Sequence, residues 1–167
     1  MTTLKYLSAY PAHIQDQVRT LIEQDRLAET LRVRYPERHD VRSDSALYDY
    51  VLELKSRHLR TAPPVAKVAY DSGLGLVAKA LGTQTTISRV QGAKLKSKRE
   101  IRVATLFRDC APEFLKMIVV HELAHLKVRE HDKSFYALCE HMEPRYHQYE
   151  FDLRLHLTCL DIAGKSA

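Results

Sequence analysis

The stretch HELAHLKVREH, His121 to His131, constrains this chain more than any other. His121 and His125 stand four residues apart, and a helix brings residues at that spacing onto one face, about one turn from each other. Two imidazoles placed so can bind one Zn²⁺, with Zn–N distances of about 2.0–2.1 Å. Glu122 is turned about 100° from His121, so it misses the ion and is placed to hold a water beside it. Zinc lowers the pKa of such a water to about 7. A neighbouring carboxylate can then take its proton and pass it to the leaving group. This is the mechanical content of H-E-x-x-H. The fold must therefore supply a helix here. The run Met117-Ile118-Val119-Val120 before the motif and Leu126 after it make that helix a core element rather than a solvated one with stray histidines.

A catalytic zinc takes three protein ligands and keeps one position open. His131 is the candidate third ligand. On an unbroken helix it would point about 240° away from His125, so the helix has to end between them. Where such sites turn on a glycine three residues after the second histidine, this chain has Val128, a poor residue for positive φ. The turn is expected around Arg129 and Glu130. On chemistry alone a downstream glutamate, Glu140 or Glu143, remains a rival.

The rest of the chain reads as an α+β domain. Its 167 residues suit a single domain able to bury a core without staples. Residues 1–62 read as helical. One amphipathic helix is expected from Pro11 to about Arg34, with Ile14, Val18, Leu21 and Ile22 on its face. A second starts near Ser43 or Asp44, with Leu47, Val51 and Leu54 buried. Residues 63–108 read as a small, mainly antiparallel sheet, from PVAKVAYD, TTISRVQG and REIRVATLF. Residues 109–167 return to helices. Pro112 opens the one that carries the motif, with Leu115, Ile118, Val119, Leu123 and Leu126 as its apolar face. A shorter helix follows from Lys133 to Met142, and a last one begins near Pro144.

Composition sets the setting. No apolar run reaches the length of a membrane span, and the N-terminus lacks a signal-peptide pattern, so a cytoplasmic protein is expected. Cys110, Cys139 and Cys159 are odd in number and widely spaced, which fits small buried hydrophobes rather than a disulfide framework. The net charge of +5 suits nucleic acid, a phosphorylated small molecule or an acidic polypeptide, and alone decides nothing among them. In an extended run, Lys94, Lys96 and Lys98 share a face with Arg102 beyond them. They make either a lysine-protected sheet edge or an electropositive wall that binds substrate. No glycine-rich phosphate loop accompanies them. Tyr136, His141, Tyr146 and His147 are near the motif. Core packing suits the tyrosines and a surface or supporting role the histidines, although Tyr136 is kept as a substrate-binding candidate. No oxyanion donor is assigned.

The segment MIVVHELAHLKVREHDKSFYALCEHMEP, positions 117–144, strongly resembles the YgjP-like metallohydrolase family, which is related to the SprT and WLM groups. SRVQGAKLKSKREIRVATLF resembles the strands that precede the family's helix, and the likeness extends over nearly the whole chain. The resemblance implies a small zincin fold, with His121, His125 and His131 as ligands and Glu122 as the catalytic glutamate. It favours His131 over the glutamates. Many members carry Trp-Gly-Ser-Cys before the helix. Here Ser88-Arg89-Val90-Gln91-Gly92 stands near that place, which leaves substrate contacts open. Three activities follow. Zinc-dependent peptide hydrolysis, with Glu122 as general base, comes first. UTP pyrophosphatase activity, giving UMP and diphosphate, comes second, because proteins similar to this family's namesake have been assigned it. A nucleic-acid-associated role comes last, since no reading element accompanies the charge. Zinc suits three imidazoles, and other divalent ions can occupy such a site.

Overall fold

The computed structural model describes residues 4–74, 88–91 and 98–166, with side chains for 4–74 and 99–164. The fold is α+β. Among the described residues it has helices α1 (Ala12–Glu23), α2 (Leu27–Arg34), α3 (Asp44–His58), α4 (Pro112–Ala124), α5 (Lys133–Met142) and α6 (Tyr146–Ser166). Its strands are β1 (Val65–Asp71), β2 (Ser88–Gln91) and β3 (Lys98–Ala104). No described helix is long and apolar enough to cross a membrane.

The residues fall into two compact units. The first runs up to Pro36 and resumes at Gln148. Leu4, Leu7, Val18, Leu27, Leu31 and Leu155 form its buried core. Beside it Asp152, fully buried, accepts hydrogen bonds from Arg34, Tyr35 and Gln148. A buried carboxylate needs such partners to remain charged.

The expected helix from Pro11 to Arg34 is two helices. Asp25 takes φ 57°, in the left-handed region. The Asp25 N–H donates to Ile22 O and the Arg26 N–H to Leu21 O, at 2.9 and 2.8 Å. This paired return closes α1 in the manner of a Schellman motif. On one continuous helix Leu27 and Leu31 would lie on roughly the opposite face from Ile14, Val18, Leu21 and Ile22, so the apolar pattern shifts phase at the break, a signal the single-helix reading passes over. Aspartate tolerates the left-handed region better than most residues, whereas glycine enters it freely.

The second unit, Glu37–His147, holds the sheet and the motif. Ser43 caps α3 by accepting the Ala46 N–H. The strand order is β1-β3-β2. β2 and β3 pair antiparallel, but β1 and β3 pair parallel, with Val68 opposite Ile101 and Tyr70 opposite Val103. The sheet is therefore mixed rather than mainly antiparallel. β2 intervenes in sequence and occupies the far edge, so β1 and β3 are not joined as a hairpin, and a parallel pair needs such a crossover. Ile101 and Val103 on β3 are fully buried, as are Leu47 and Val51 on α3. The α4 helix contacts α3, α5 and β3. It is buried on nearly every side, where one apolar face was expected: Met117 and Val120 are as inaccessible as Leu115 and Ile118. A helix apolar all round belongs inside a core.

The conformation at Asp25 gives a direct test. Asp25→Gly is expected to raise the urea midpoint, and Asp25→Val to lower stability by about 1–2 kcal/mol. Equal midpoints for the two variants would contradict a left-handed residue there.

Candidate metal centre

The α4 helix ends one residue before the motif's second histidine. His125 is its C-cap, with φ −67° and ψ −13°. The last turn tightens: the Leu126 N–H donates to Leu123 O and the Lys127 N–H to Ala124 O, both at 3.0 Å. Such i to i+3 bonds satisfy carbonyls that a helix end would leave orphaned. The chain leaves its helical path at 125–127, earlier than the expected Arg129 and Glu130. Asp25 is the one non-glycine residue with positive φ among those described, so Val128 meets no strain. After the turn, Asp132 caps α5, accepting the Phe135 N–H at 3.0 Å and the Ser134 hydroxyl at 2.7 Å. That cap fixes the backbone immediately beyond His131.

The result is a convergence of three imidazoles. His125 Nε2 lies 3.3 Å from His121 Nε2 and 3.0 Å from His131 Nε2. One ring nitrogen from each lies within 4.8 Å of the others. His121 is buried, His125 half-buried and His131 exposed, so the group opens to solvent on the His131 side. Phe135, fully buried, packs against all three rings at centroid distances of 5.0, 4.5 and 5.0 Å. Their outer nitrogens are held as well. His125 Nδ1 is 3.0 Å from Val128 O, and His121 Nδ1 is 2.8 Å from the Tyr146 hydroxyl. A carbonyl only accepts, so His125 carries its proton on Nδ1 and aims a lone pair from Nε2 into the group. Burial, opposed by that same hydrogen bond, pulls His125 below the ordinary imidazole range and favours this neutral form.

Glu122 is 1% exposed, and neither carboxylate oxygen has a hydrogen-bond partner. Burial pushes its carboxyl well above the ordinary range. An orphaned carboxylate inside a core is costly unless a cation or water meets it. Three imidazole nitrogen donors beside that group are the chemistry a divalent ion requires, and the residues present fit one.

The remaining candidates divide. Glu140 pairs with His147 at 2.8 Å. Glu143 pairs with Lys116 at 3.0 Å and accepts the Arg145 N–H at 2.8 Å. Both rivals for the third position are thus engaged elsewhere. Arg102 forms ion pairs with Asp71 at 2.8 Å and Glu100 at 2.5 Å, so its charge is matched within the sheet. Lys98 begins β3, while Lys94 and Lys96 lie outside the described residues. Tyr136 is half-buried, 5.2 Å from Phe135 and 5.3 Å from His147 by ring centroids. His141, exposed, lies edge-on to His58. Cys110 and Cys139 are buried free thiols, and burial pushes Cys110 up to about 12.

Two contributors escaped sequence reasoning. Phe135 had a usable signal: with Cys139 and Met142 it makes an i, i+4, i+7 stripe, which is the buried face of α5. Tyr146 reads as a core tyrosine near the motif, but its contact with His121, 25 residues away, is not visible in the sequence.

If Phe135 holds the rings together, Phe135→Ala should cost about 3–5 kcal/mol and weaken retention of added Zn²⁺. His131→Ala should weaken that retention as strongly as His121→Ala or His125→Ala, by equilibrium dialysis. Full zinc retention by His131→Ala, with loss in Glu143→Ala, would move the third position.

With this geometry in view, the comparisons with known proteins are informative. A family model described as YgjP-like, metallopeptidase domain, matches residues 69–156, which span β3, α4 and α5. A protein of Escherichia coli (strain K12) named UTP pyrophosphatase is 56% identical over 162 residues, covering 97% of either chain. No solved structure gives a significant match. The chain is a metal-dependent hydrolase, and it belongs to the YgjP-like family of metallopeptidase domains.

Proposed function

We propose that this chain is a zinc-dependent nucleoside triphosphate pyrophosphatase. It cleaves UTP to UMP and diphosphate, with His121, His125 and His131 holding the ion and Glu122 as general base. One observation carries the choice of substrate: 56% identity, across 97% of either chain, with a protein named UTP pyrophosphatase. The residues alone ranked peptide hydrolysis first, and this likeness reverses the order. The peptide reading keeps one observation in its favour, the metallopeptidase description of the matching family.

Three imidazoles leave a divalent ion one open position, where it supplies Lewis-acid activation of water. The chain's own groups do the rest. Glu122 takes the proton of the water that attacks the α-phosphorus. The bond from that phosphorus to the bridging oxygen breaks, and the proton leaves with the diphosphate. Burial keeps the Glu122 carboxylate out of bulk water, so its basicity is directed at the water beside it. The carbonyl of Val128 and the hydroxyl of Tyr146 hold two rings in place. The open side at His131 admits the triphosphate.

The triphosphate also needs positive charge. Arg102 is matched by Asp71 and Glu100, and the basic run Lys94, Lys96 and Lys98 is the candidate source of that charge. Replacing all three by alanine should raise KM for UTP several-fold with kcat nearly kept, and should flatten the dependence of kcat/KM on ionic strength. An unchanged KM would remove the lysines from substrate binding.

The test of substrate class uses zinc-loaded protein and Glu122→Gln. Both are incubated with the four nucleoside triphosphates and with casein-derived peptides. Diphosphate release from UTP by the wild type should fall at least about 100-fold in the variant, with zinc retained. Peptide cleavage with UTP left intact would replace this reading with the peptidase one.

A further inference from the structure

We propose that Tyr146 is a positioning residue for the metal centre. Its hydroxyl accepts the Nδ1 proton of His121 and so holds that ring in the tautomer whose Nε2 lone pair faces His125 and His131. The proposal rests on the reading that the three histidines hold a divalent ion, and it is independent of which substrate is cut.

The contact is 2.8 Å long, between a tyrosine with no exposed surface and a histidine 2% exposed. Water has little access to compete for it. A neutral imidazole has one proton, and whichever nitrogen holds it cannot bind an ion. His125 is committed by a backbone carbonyl. His121 is committed only if its Nδ1 proton has an acceptor. Without the hydroxyl, the Nδ1 proton would lose this acceptor, and the tautomer with the proton on Nε2, where it blocks coordination, would become more favourable. Outer partners of this kind set ring orientation and metal affinity.

The corner that carries Tyr146 is built to hold it still. Lys116 and His121 both belong to α4. The first pairs with Glu143 at 3.0 Å and the second meets Tyr146 at 2.8 Å. Between these two clamps, Glu143 accepts the Tyr146 N–H at its carbonyl, at 2.9 Å. Its carboxylate accepts the Arg145 N–H. Glu143, a rival ligand by sequence, thus ties the supporting tyrosine to the helix of the first histidine.

The experiment compares the full-length wild type, Tyr146→Phe and Tyr70→Phe. Tyr70 is also buried, but its hydroxyl donates to the carbonyl of Val41. Each protein is stripped of metal, then titrated with Zn²⁺ against a chromophoric chelator, and the visible absorption of its Co²⁺ form is recorded. Tyr146→Phe should bind Zn²⁺ about 10–100-fold more weakly, with shifted Co²⁺ bands. Tyr70→Phe should match the wild type in both. Wild-type affinity and Co²⁺ bands in Tyr146→Phe would overturn the proposal, as would equal losses in the two variants. A wild type that binds no Zn²⁺ would overturn the three-histidine reading as well. If Tyr146→Phe does not fold, imidazole ¹⁵N spectra of the zinc-loaded wild type decide. A proton on His121 Nδ1 is expected, and zinc on Nδ1 would overturn the proposal.

Discussion

The architecture around the motif depends on one constraint: three imidazole nitrogens are brought within 4.8 Å of one another, with His125 Nε2 at 3.3 and 3.0 Å from the other two. His125 presents a lone pair there, because its proton is held on the far side by Val128 O. Three lone pairs turned inward repel, and a cation among them converts that repulsion into attraction. The protein meets the cost of gathering them with groups outside the cluster. Phe135 fills the space beneath all three rings, the Asp132 cap fixes the step after His131, and the Tyr146 hydroxyl meets His121. A rigid surround of this kind pre-organises a site before an ion arrives, which raises affinity without adding any ligand.

The same helix carries a second tension. α4 is buried nearly all round, yet it places a histidine and a glutamate among Met117, Val120 and Leu123. Glu122 has no hydrogen-bond partner at either oxygen. A helix selected for stability alone would hold an apolar residue there, and the chain retains a group whose protonation burial favours. A nearby divalent charge reverses that preference, since an opposite charge stabilises the carboxylate. Burial and the ion thus act in opposite directions on one group. A carboxyl placed between two such opposing influences is suited to proton transfer.

How much of this could be read in the sequence follows from the range of each interaction. The spacing of His121 and His125 is local, and the helix geometry follows from it. The α5 boundaries and the Ser43 cap are local too, and they appear where expected. The break at Asp25 is legible only as a change of phase in the apolar pattern, with Leu27 and Leu31 off the face of Ile14, Val18 and Leu21, while its cause is one residue's backbone angle. The turn after His125 was placed too late on the assumption that a residue of positive φ must make it. Tightening the last helical turn into i to i+3 bonds achieves the same redirection without one. The parallel pairing of β1 with β3 depends on which edge β2 occupies, and alternation within a strand carries no such information. His131 is already the leading third ligand on chemistry alone, and family resemblance strengthens it over Glu140 and Glu143. The competing carboxylates are engaged by Lys116, His147 and the Arg145 backbone, and of those partners Lys116 lies 27 residues from Glu143, beyond any helical repeat.

The choice between phosphoanhydride and peptide is of a different kind. An activated water beside a general base attacks an electrophile of either sort, so the three histidines and Glu122 leave the substrate undetermined. The two reactions differ in the charge that must be accommodated. A peptide carbonyl develops one negative oxygen, whereas a triphosphate arrives with several already ionised. Arg102 looks by position like part of a basic wall, but Asp71 and Glu100 consume its charge. Its part is then to hold adjacent strands together, across the register that sets Asp71 opposite Ala104 and Lys67 opposite Glu100. If the substrate is a triphosphate, its recognition has to come from cations outside that matched network. Specificity and catalysis would then be divided between substrate-binding cations and the three-histidine centre. In such a division substrate preference can change while the hydrolytic centre is kept, which reconciles a metallopeptidase family description with a relative named for UTP.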